Sequence, residues 1–212
     1  MQPDNEHDGQ SARSFIEQAR RAQIVASAVE VIADVGYRKA SMARIAAHAG
    51  ISRGLISYHF ANKAELITEV VTRVYVDGAE FMGPRIGTEA TAPGQLRAYI
   101  SSNLEYMRAH PERMRALLEI FTQADRDELP AADDSDTVDQ MLGPLEELFR
   151  NGQATGDFRD FDPRTMAVAV RNVIDGVPPR LSEPDLDLDA VINDLTALFE
   201  RATRHPDAPE SS

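Results

Sequence analysis

The sequence predicts an all-α protein of about nine helices. Ala, Leu, Glu and Arg recur in long stretches, with apolar residues three and four positions apart, which is the periodicity of a helix with one buried face. Sustained alternation of apolar and polar residues, the pattern of a half-buried strand, is absent, and aromatic residues make up only 6% of the chain. Glycine, proline and polar residues divide the helical stretches, so we expect short turns between most helices.

The helices are expected in a regular order along the chain. Ser41 and Ser52 are good N-caps for two short helices, and Gly36 and Gly50 are typical helix stops. We expect helices over residues 14–35, 41–49, 52–60, 63–77, 93–110, 111–123, 138–152, 163–177 and 188–203. A Gly/Pro/Thr linker is expected over 84–94, an acidic loop over 124–136, and disordered tails over 1–12 and 205–212. These patterns predict a domain over 14–62 and a second over 63–204.

Composition restricts the classes of function. The chain has no cysteine, which excludes disulfides, thiol nucleophiles and Cys-ligated metals. No apolar run reaches the length of a membrane span, so we expect a soluble, cytoplasmic protein without a membrane partner. The formal net charge of −13 argues against nucleic acid, but residues 13–63 hold eight basic and three acidic residues, a local charge of +5. Either this end faces a polyanion or the cluster is a chance group of solvated charges.

The segment 40–66 has the pattern of a helix-turn-helix. Its two short helices must cross closely, which requires small residues at the crossing, and Ala46, Ala49 and Gly50 supply them. Apolar residues fill the space between the helices, while polar and basic residues of the second helix face away from it. These outward residues are Ser52, Arg53, Gly54, Ser57 and Tyr58. The second helix therefore suits the major groove of DNA.

The string Ser57-Tyr58-His59-Phe60-Ala61-Asn62-Lys63-Ala64-Glu65-Leu66 resembles the tetracycline-repressor (TetR) family, whose members share a similar Tyr-His-Phe and Lys pattern. The resemblance covers about residues 14–77, and Ile56-Ser57-Tyr58 is similar to the family branch typified by the betaine-synthesis regulator BetI. It implies a ligand-responsive regulator, in most cases a repressor, that binds a palindromic operator as a homodimer. It does not imply that choline is the ligand.

The resemblance also implies roles for particular residues of the helix-turn-helix. Arg53 is the candidate for base recognition, because a guanidinium can bind guanine O6 and N7 together. Ser41, Arg44, Tyr58 and Lys63 would contact phosphates, and Gly54 would allow close approach of the backbone. His59 faces either DNA or the core, and both readings stay open. The predicted DNA-binding set is Ser41, Arg44, Ser52, Arg53, Gly54, Ser57, Tyr58, His59 and Lys63.

The C-terminal two thirds carry two further predictions. The last two helices have wide apolar stripes, which form either an internal core face or, in a TetR-like arrangement, a dimer interface. The predicted interface residues are Val170, Ile174, Leu195, Leu198 and Phe199. An apolar or amphipathic small-molecule effector is expected among the preceding helices, at Met107, Met114, Leu118, Phe121, Phe149, Arg171 and Asp175. Arg171 and Asp175, four residues apart, are either a surface ion pair or a polar anchor in that pocket.

Motifs for catalysis and for cofactors are absent. The five histidines lack the spacing of metal ligands, and the chain has no nucleotide-binding fingerprint and no nucleophile elbow. We therefore expect no cofactor, no metal and no enzymatic activity. The alternative is a dimeric helical protein that binds a small molecule, as an adaptor or an enzyme, without binding DNA.

Overall fold

A computed structural model describes residues 5–125, 135–183 and 185–205. These residues form nine α-helices and two short 3-10 helices and contain no strand, which confirms the all-α prediction. The helices are α1 (Asn5–Val35), α2 (Met42–His48), α3 (Arg53–His59), α4 (Lys63–Gly87), α5 (Ala92–Ala109), α6 (Pro111–Gln123), α7 (Ser135–Thr155), α8 (Pro163–Asp175) and α9 (Leu188–Thr203). The 3-10 helices are Tyr37–Lys39 and Pro178–Ser182.

The described chain divides into two compact units. The N-terminal unit comprises residues 5–74 and 115–125, and therefore includes α1 to α3, the start of α4 and most of α6. Its core is built from apolar side chains that have no solvent exposure: Ile24, Ile32, Ile45, Ile56, Phe60, Leu66, Ile67 and Ile120. The boundary that the sequence predicts between residues 62 and 63 falls inside this unit, because α4 continues the same apolar core.

The C-terminal unit comprises residues 75–114, 135–183 and 185–205. Within it α7 packs on α8, and α5 packs on α9. The side chain of Glu146 in α7 is buried, and its carboxylate accepts hydrogen bonds from Arg150 and, at 3.0 Å, from Arg164 of α8. Burying an unpaired carboxylate would be strongly destabilising, so these two arginines stabilise the packing of α7 on α8.

Side-chain caps fix where several helices begin. The Asp162 carboxylate accepts the Thr165 N–H at 2.7 Å before α8, and Asp187 accepts the Ala190 N–H at 3.0 Å before α9. The first N–H groups of a helix have no partner within the helix, and these side chains provide one. The two carboxylates also lie at the positive ends of their helix dipoles.

Two boundaries differ from the sequence prediction. The predicted disordered tail 1–12 is helical from Asn5 onward, because a helix that has already formed extends at little cost. The predicted linker 84–94 shrinks to residues 88–91, since α4 continues through Pro84 to Gly87. Pro84 cannot donate the backbone hydrogen bond that a helix normally makes to the carbonyl four residues earlier, and the Arg85 guanidinium in the same turn donates to the Phe81 carbonyl at 2.8 Å.

Other predictions fall on parts of the chain that the structure leaves undescribed. Residues 126–134 of the predicted acidic loop lie outside the described residues, and α7 begins at Ser135. Residues 1–4 and 206–212 of the predicted tails also lie outside them. Among the helices that are described, none is both long and apolar enough to cross a membrane.

Candidate nucleic-acid interface

The helices α2 and α3 form a helix-turn-helix in the N-terminal unit. Gly50, in the turn between them, has a φ of +67°, a conformation that other residues rarely adopt. The Ile51 N–H donates to the Ala46 carbonyl at 2.9 Å and so closes the end of α2. Ile45 of α2 and Ile56 of α3 are fully buried. The small-residue turn and the apolar contact are those that the sequence predicts for this motif.

The two serines at the starts of these helices act as N-caps, as predicted. The Ser41 hydroxyl accepts the Arg44 N–H at 3.3 Å, and the Ser52 hydroxyl accepts the Leu55 N–H at 3.2 Å. Seven of the nine predicted DNA-binding residues are exposed: Ser41, Arg44, Ser52, Arg53, Gly54, Ser57 and Tyr58. They are accessible to a large partner, while Ile56 and Phe60 of the same segment face the core.

The other two predicted residues are more enclosed. His59 is half-buried, and its ring lies 5.1 Å from the Tyr58 ring in an edge-on arrangement. Lys63 is also half-buried, and its ammonium group donates to the Tyr37 carbonyl at 2.8 Å and lies 3.5 Å from the centroid of the Tyr37 ring. The charge of Lys63 therefore stabilises the protein itself, a role that the sequence does not suggest.

Arg21 is a second basic residue that is engaged within the N-terminal unit. Its guanidinium lies over the Phe60 ring at 4.2 Å, donates to the His59 carbonyl, and pairs with Glu69 at 3.2 Å. These contacts tie α1 to α3 and α4. The pairing residue lies 48 positions away in the sequence, so no local pattern could reveal it.

Glu119 of α6 also belongs to the N-terminal unit, although the sequence suggests no role for it. Its carboxylate accepts the Tyr37 N–H at 3.2 Å, across 82 residues of sequence.

The Tyr58 hydroxyl is also engaged within the N-terminal unit, because it donates to the Glu17 carboxylate at 3.2 Å. An acidic group therefore already occupies the hydroxyl for which the sequence predicts a phosphate contact.

In the C-terminal unit, Arg171 and Asp175 form a two-point ion pair. The Arg171 Nε lies 2.9 Å from Asp175 Oδ2, and Nη2 lies 2.5 Å from Oδ1. The arginine side chain is only 14% exposed and lies against the Tyr75 ring, 5.4 Å from its centroid, whereas the aspartate is 41% exposed. Burial by itself lowers the pKa of Arg171, but the Asp175 and Tyr99 side chains offset this and leave its pKa raised. The pair therefore joins the surface to the interior.

The other predicted effector residues are not alike in their surroundings. Met107, Met114 and Phe149 are buried in the C-terminal unit, whereas Leu118 and Phe121 are exposed residues of α6 in the N-terminal unit. One polar cleft, of about 320 Å³, lies between the end of α4 and α5, where Arg85 and Arg97 are held in ion pairs with Glu105 and Glu200. None of the predicted effector residues lines it. Within the described residues, no group of three His, Asp or Glu is placed to hold a metal ion.

The predicted dimer residues also divide into two groups. Val170, Ile174 and Phe199 are buried within the chain itself, which agrees with the core reading of these stripes. Leu195 is half-buried, and Leu198 is 52% exposed. The large apolar residues that are exposed on α8 and α9 are Leu198, Val168 and Val173, and the two valines are not among the predicted interface residues.

The fold and this exposed helix-turn-helix define the chain as a two-unit, all-α protein of the helix-turn-helix class. Two family profiles identify it further. Residues 24–70 match the profile described as bacterial regulatory proteins of the tetR family, and residues 93–204 match the C-terminal domain of BetI-type transcriptional repressors. The chain belongs to the TetR family, and the predicted resemblance to the BetI branch is confirmed.

Characterised relatives match only part of the chain. The HTH-type transcriptional regulator BetI 1 of Chromohalobacter salexigens is 30% identical over 104 residues, which are 49% of this chain and 52% of that protein. The chain thus matches about half the length of this relative. The regulator's own activity and ligands do not transfer on that basis alone.

Solved structures share the fold over nearly the whole chain. The fatty acid degradation regulator FadR of Bacillus halodurans has a TM-score of 0.76 at 22% identity, covering 88% of this chain and 97% of that one. FadR of Bacillus subtilis in complex with stearoyl-CoA has a TM-score of 0.73 at 24% identity, covering 84% and 96%. A structure from Saccharomonospora viridis in complex with choline has a TM-score of 0.71 at 22% identity, covering 89% and 99%. At such identities these likenesses establish the fold.

Proposed function

We propose that the protein is a ligand-responsive transcriptional repressor that binds a palindromic operator as a homodimer. The observation that carries this proposal is the outer face of α3, where Arg53, Ser57 and Tyr58 are exposed while Ile56 and Phe60 are buried. A polar and basic helix that is held from behind by a second short helix fits the major groove of B-DNA. The match to the tetR family profile spans both helices. A DNA partner also implies that the protein acts in the cytoplasm.

Particular residues of this face take particular roles in the proposal. Arg53 reads a guanine, and Ser41, Arg44 and Tyr58 bind phosphates on either side. For this contact the Tyr58 hydroxyl exchanges its hydrogen bond to Glu17 for one to DNA. Gly54 supports close approach of the DNA, because nothing inside the chain requires a glycine there. A Cβ at this position would lie 3.9 Å from the Ser52 hydroxyl, which is an ordinary contact. The glycine therefore leaves room on the outer face of α3, where the DNA would approach.

The test is DNA selection followed by binding measurements on variants. A duplex is first selected from a random pool with the wild-type protein, and its affinity and that of a random duplex are measured by fluorescence anisotropy over a range of salt. Arg53→Ala should lose about 1–3 kcal/mol on the selected duplex and much less on the random one. Arg44→Ala should lose affinity on both duplexes and reduce the salt slope by about two, because each dimer loses two phosphate contacts. Arg180→Ala, which removes an exposed charge from the C-terminal unit, serves as the control.

Two outcomes would count against the proposal in different ways. If Arg53→Ala and Arg44→Ala lose the same factor on both duplexes, Arg53 does not read a base. If no duplex is selected and binding is insensitive to salt, the protein is no DNA-binding regulator. The alternative, a dimeric helical adaptor or enzyme without DNA binding, would then stand in its place.

The proposed dimer uses the exposed apolar surface of α8 and α9. Val168 and Val173 of α8 are 39% and 36% exposed, and Leu198 of α9 is 52% exposed. Leucine and valine at such exposure on two helices of one unit support an interface with a second copy. A palindromic operator requires two helix-turn-helix units, spaced to enter successive major grooves about 34–36 Å apart.

The proposed effector is an apolar or amphipathic small molecule bound in the C-terminal unit. Arg171 and Asp175 supply a polar group that reaches from the surface to the interior. Met107, Met114 and Phe149 are buried apolar residues of the same unit, and the two methionines can adapt their shape to a ligand. Stearoyl-CoA and choline, which are bound in two of the similar structures, are the first compounds to screen by thermal shift. A true effector must bind more weakly in the presence of operator DNA, by the same factor by which it weakens operator binding. Equal affinity with and without the operator would show that a compound is no effector.

A further inference from the structure

The turn between α1 and α2 is held in an unusual way. Gly36 has a φ of +84°, and Tyr37 is only 2% exposed. The Tyr37 N–H donates to the Glu119 carboxylate at 3.2 Å, and a Cβ on Gly36 would lie 3.0 Å from the same carboxylate oxygen. The glycine is therefore needed both for its backbone conformation and for the close approach of α6.

The same residue, Tyr37, is held from its other side by α4. The Tyr37 carbonyl accepts a hydrogen bond from the Lys63 ammonium at 2.8 Å, and the ammonium lies 3.5 Å from the ring centroid. Tyr37 begins the 3-10 helix Tyr37–Lys39, which leads directly to Ser41, the N-cap of α2. The position of this turn therefore sets where α2 begins, and with it the residues proposed to bind phosphate.

Glu119 lies on a helix that contributes to both units. Residues 111–114 of α6 belong to the C-terminal unit, in which Arg113 pairs with Asp77 of α4 at 2.6 Å and donates to the Tyr106 hydroxyl of α5 at 2.7 Å. Glu119 follows six residues later, about 9 Å along the helix axis.

We propose that Glu119 is a positioning residue for operator binding. Its carboxylate holds the Tyr37 N–H, sets the turn before α2, and gives α6 a direct hold on the helix-turn-helix. This inference rests on the proposed DNA-binding function and goes beyond it, because it assigns a role to a residue that does not touch DNA. It predicts that the reach of the side chain at position 119 matters for sequence-specific binding, and that its charge does not.

Two substitutions separate reach from charge. Glu119→Asp keeps the charge but shortens the side chain, so the carboxylate no longer reaches the Tyr37 N–H. Glu119→Gln removes the charge but keeps an oxygen at the same distance. Glu112→Asp, at an exposed position on the same helix, is the control for a glutamate-to-aspartate change that does not touch Tyr37. All three are compared with the wild type on the selected duplex and on a random duplex of equal length, and amide hydrogen exchange at Tyr37 is measured in the absence of DNA.

We expect Glu119→Asp to bind the selected duplex about tenfold more weakly, since the hydrogen bond from the Tyr37 N–H is lost. Its affinity for the random duplex should stay within about twofold, and exchange at the Tyr37 amide should accelerate. Glu119→Gln and Glu112→Asp should behave like the wild type in all three measurements. A general loss of stability would instead weaken binding to both duplexes.

Three results would overturn the proposal. Glu119→Asp could bind the selected duplex as the wild type does, it could lose affinity equally on both duplexes, or Glu119→Gln could lose as much as Glu119→Asp. If the wild type itself selects no duplex, the proposed function fails and this inference fails with it. That outcome is distinct, because the wild-type protein alone decides it and the exchange rate at Tyr37 is still measured.

Discussion

Replacing Gly152 with alanine should destabilise the protein, although alanine is the better helix former. Gly152 lies in the last turns of α7 and is buried. A Cβ built on it would lie 2.2 Å from Phe158 Cδ2 and 2.8 Å from the Cβ of Ala92. The Phe158 ring is 3% exposed and packs against the rings of Phe149 and Phe161 at centroid distances of 5.9 and 6.3 Å. The ring therefore has no open space into which it could move.

The size of the effect follows from two opposing contributions. The gain in helix propensity from glycine to alanine is about 1 kcal/mol. Overpacking of a filled core costs about 1–3 kcal/mol, and the contact here is more than about 1 Å shorter than the optimum between carbons, which places it at the upper end of that range. The net loss should be about 2 kcal/mol. For a chain of this length it corresponds to a fall in Tm of about 4–8 °C.

Thermal unfolding followed by circular dichroism measures this effect. Asn151→Ala, at the exposed neighbouring position, is the matched control and should gain about 0.5 kcal/mol from propensity alone. In the double variant Gly152→Ala with Phe158→Leu, the smaller side chain should relieve the clash. The double variant should therefore lose less stability than the sum of the losses in the two single variants. A rise in Tm for Gly152→Ala would refute the reasoning, because it would mean that propensity outweighs packing at this site.

Two further predictions concern the C-terminal unit. Leu198→Glu should convert the dimer to monomers, because a charge would be buried at the proposed interface. Light scattering measures the mass, and a mass that stays at two chains would show that Leu198 of α9 does not lie in the interface. The pKa of Asp162 is lowered by its hydrogen bonds to Thr165. The contribution of Asp162 to stability is therefore fully present above the ordinary aspartate pKa of about 3.9, and it is lost as the pH falls through the lowered pKa. The Tm difference between wild type and Asp162→Ala should therefore narrow below about pH 4, whereas a constant difference would show that the carboxylate does not act as the cap.

Local chemistry explains the parts of the fold that the sequence predicts well. Ser41, Ser52 and Gly50 act through hydrogen bonds and backbone conformations within four residues of themselves, so the bounds of α2 and α3 follow from nearby letters alone. The end of α4 does not follow in this way. Pro84 is usually a helix breaker, because it lacks an N–H and its ring crowds the carbonyl four residues earlier, yet α4 continues through it to Gly87.

The features that could not be predicted from the sequence depend on contacts between residues far apart in the chain. Lys63 has the position and charge of a phosphate ligand, yet its ammonium binds the Tyr37 carbonyl 26 residues earlier. Charge patterning detects a cation but not its partner. Likewise, the stripes of α8 and α9 show that Val170 and Phe199 are apolar, but only packing shows that they are covered by their own chain while Leu198 is left exposed.

This distinction changes the expected strength of the DNA interaction. Of the basic residues from position 21 to position 63, Arg21 and Lys63 are engaged within the protein. The exposed ones are Arg38, Lys39, Arg44 and Arg53. If Arg53 reads a base and the other three each neutralise a phosphate, a dimer releases about six counterions and the slope of log K against log salt is about −5. If Arg21 and Lys63 also bound phosphates, the slope would be about −9. A measured slope near the second value would show that both leave their internal contacts when the protein binds DNA.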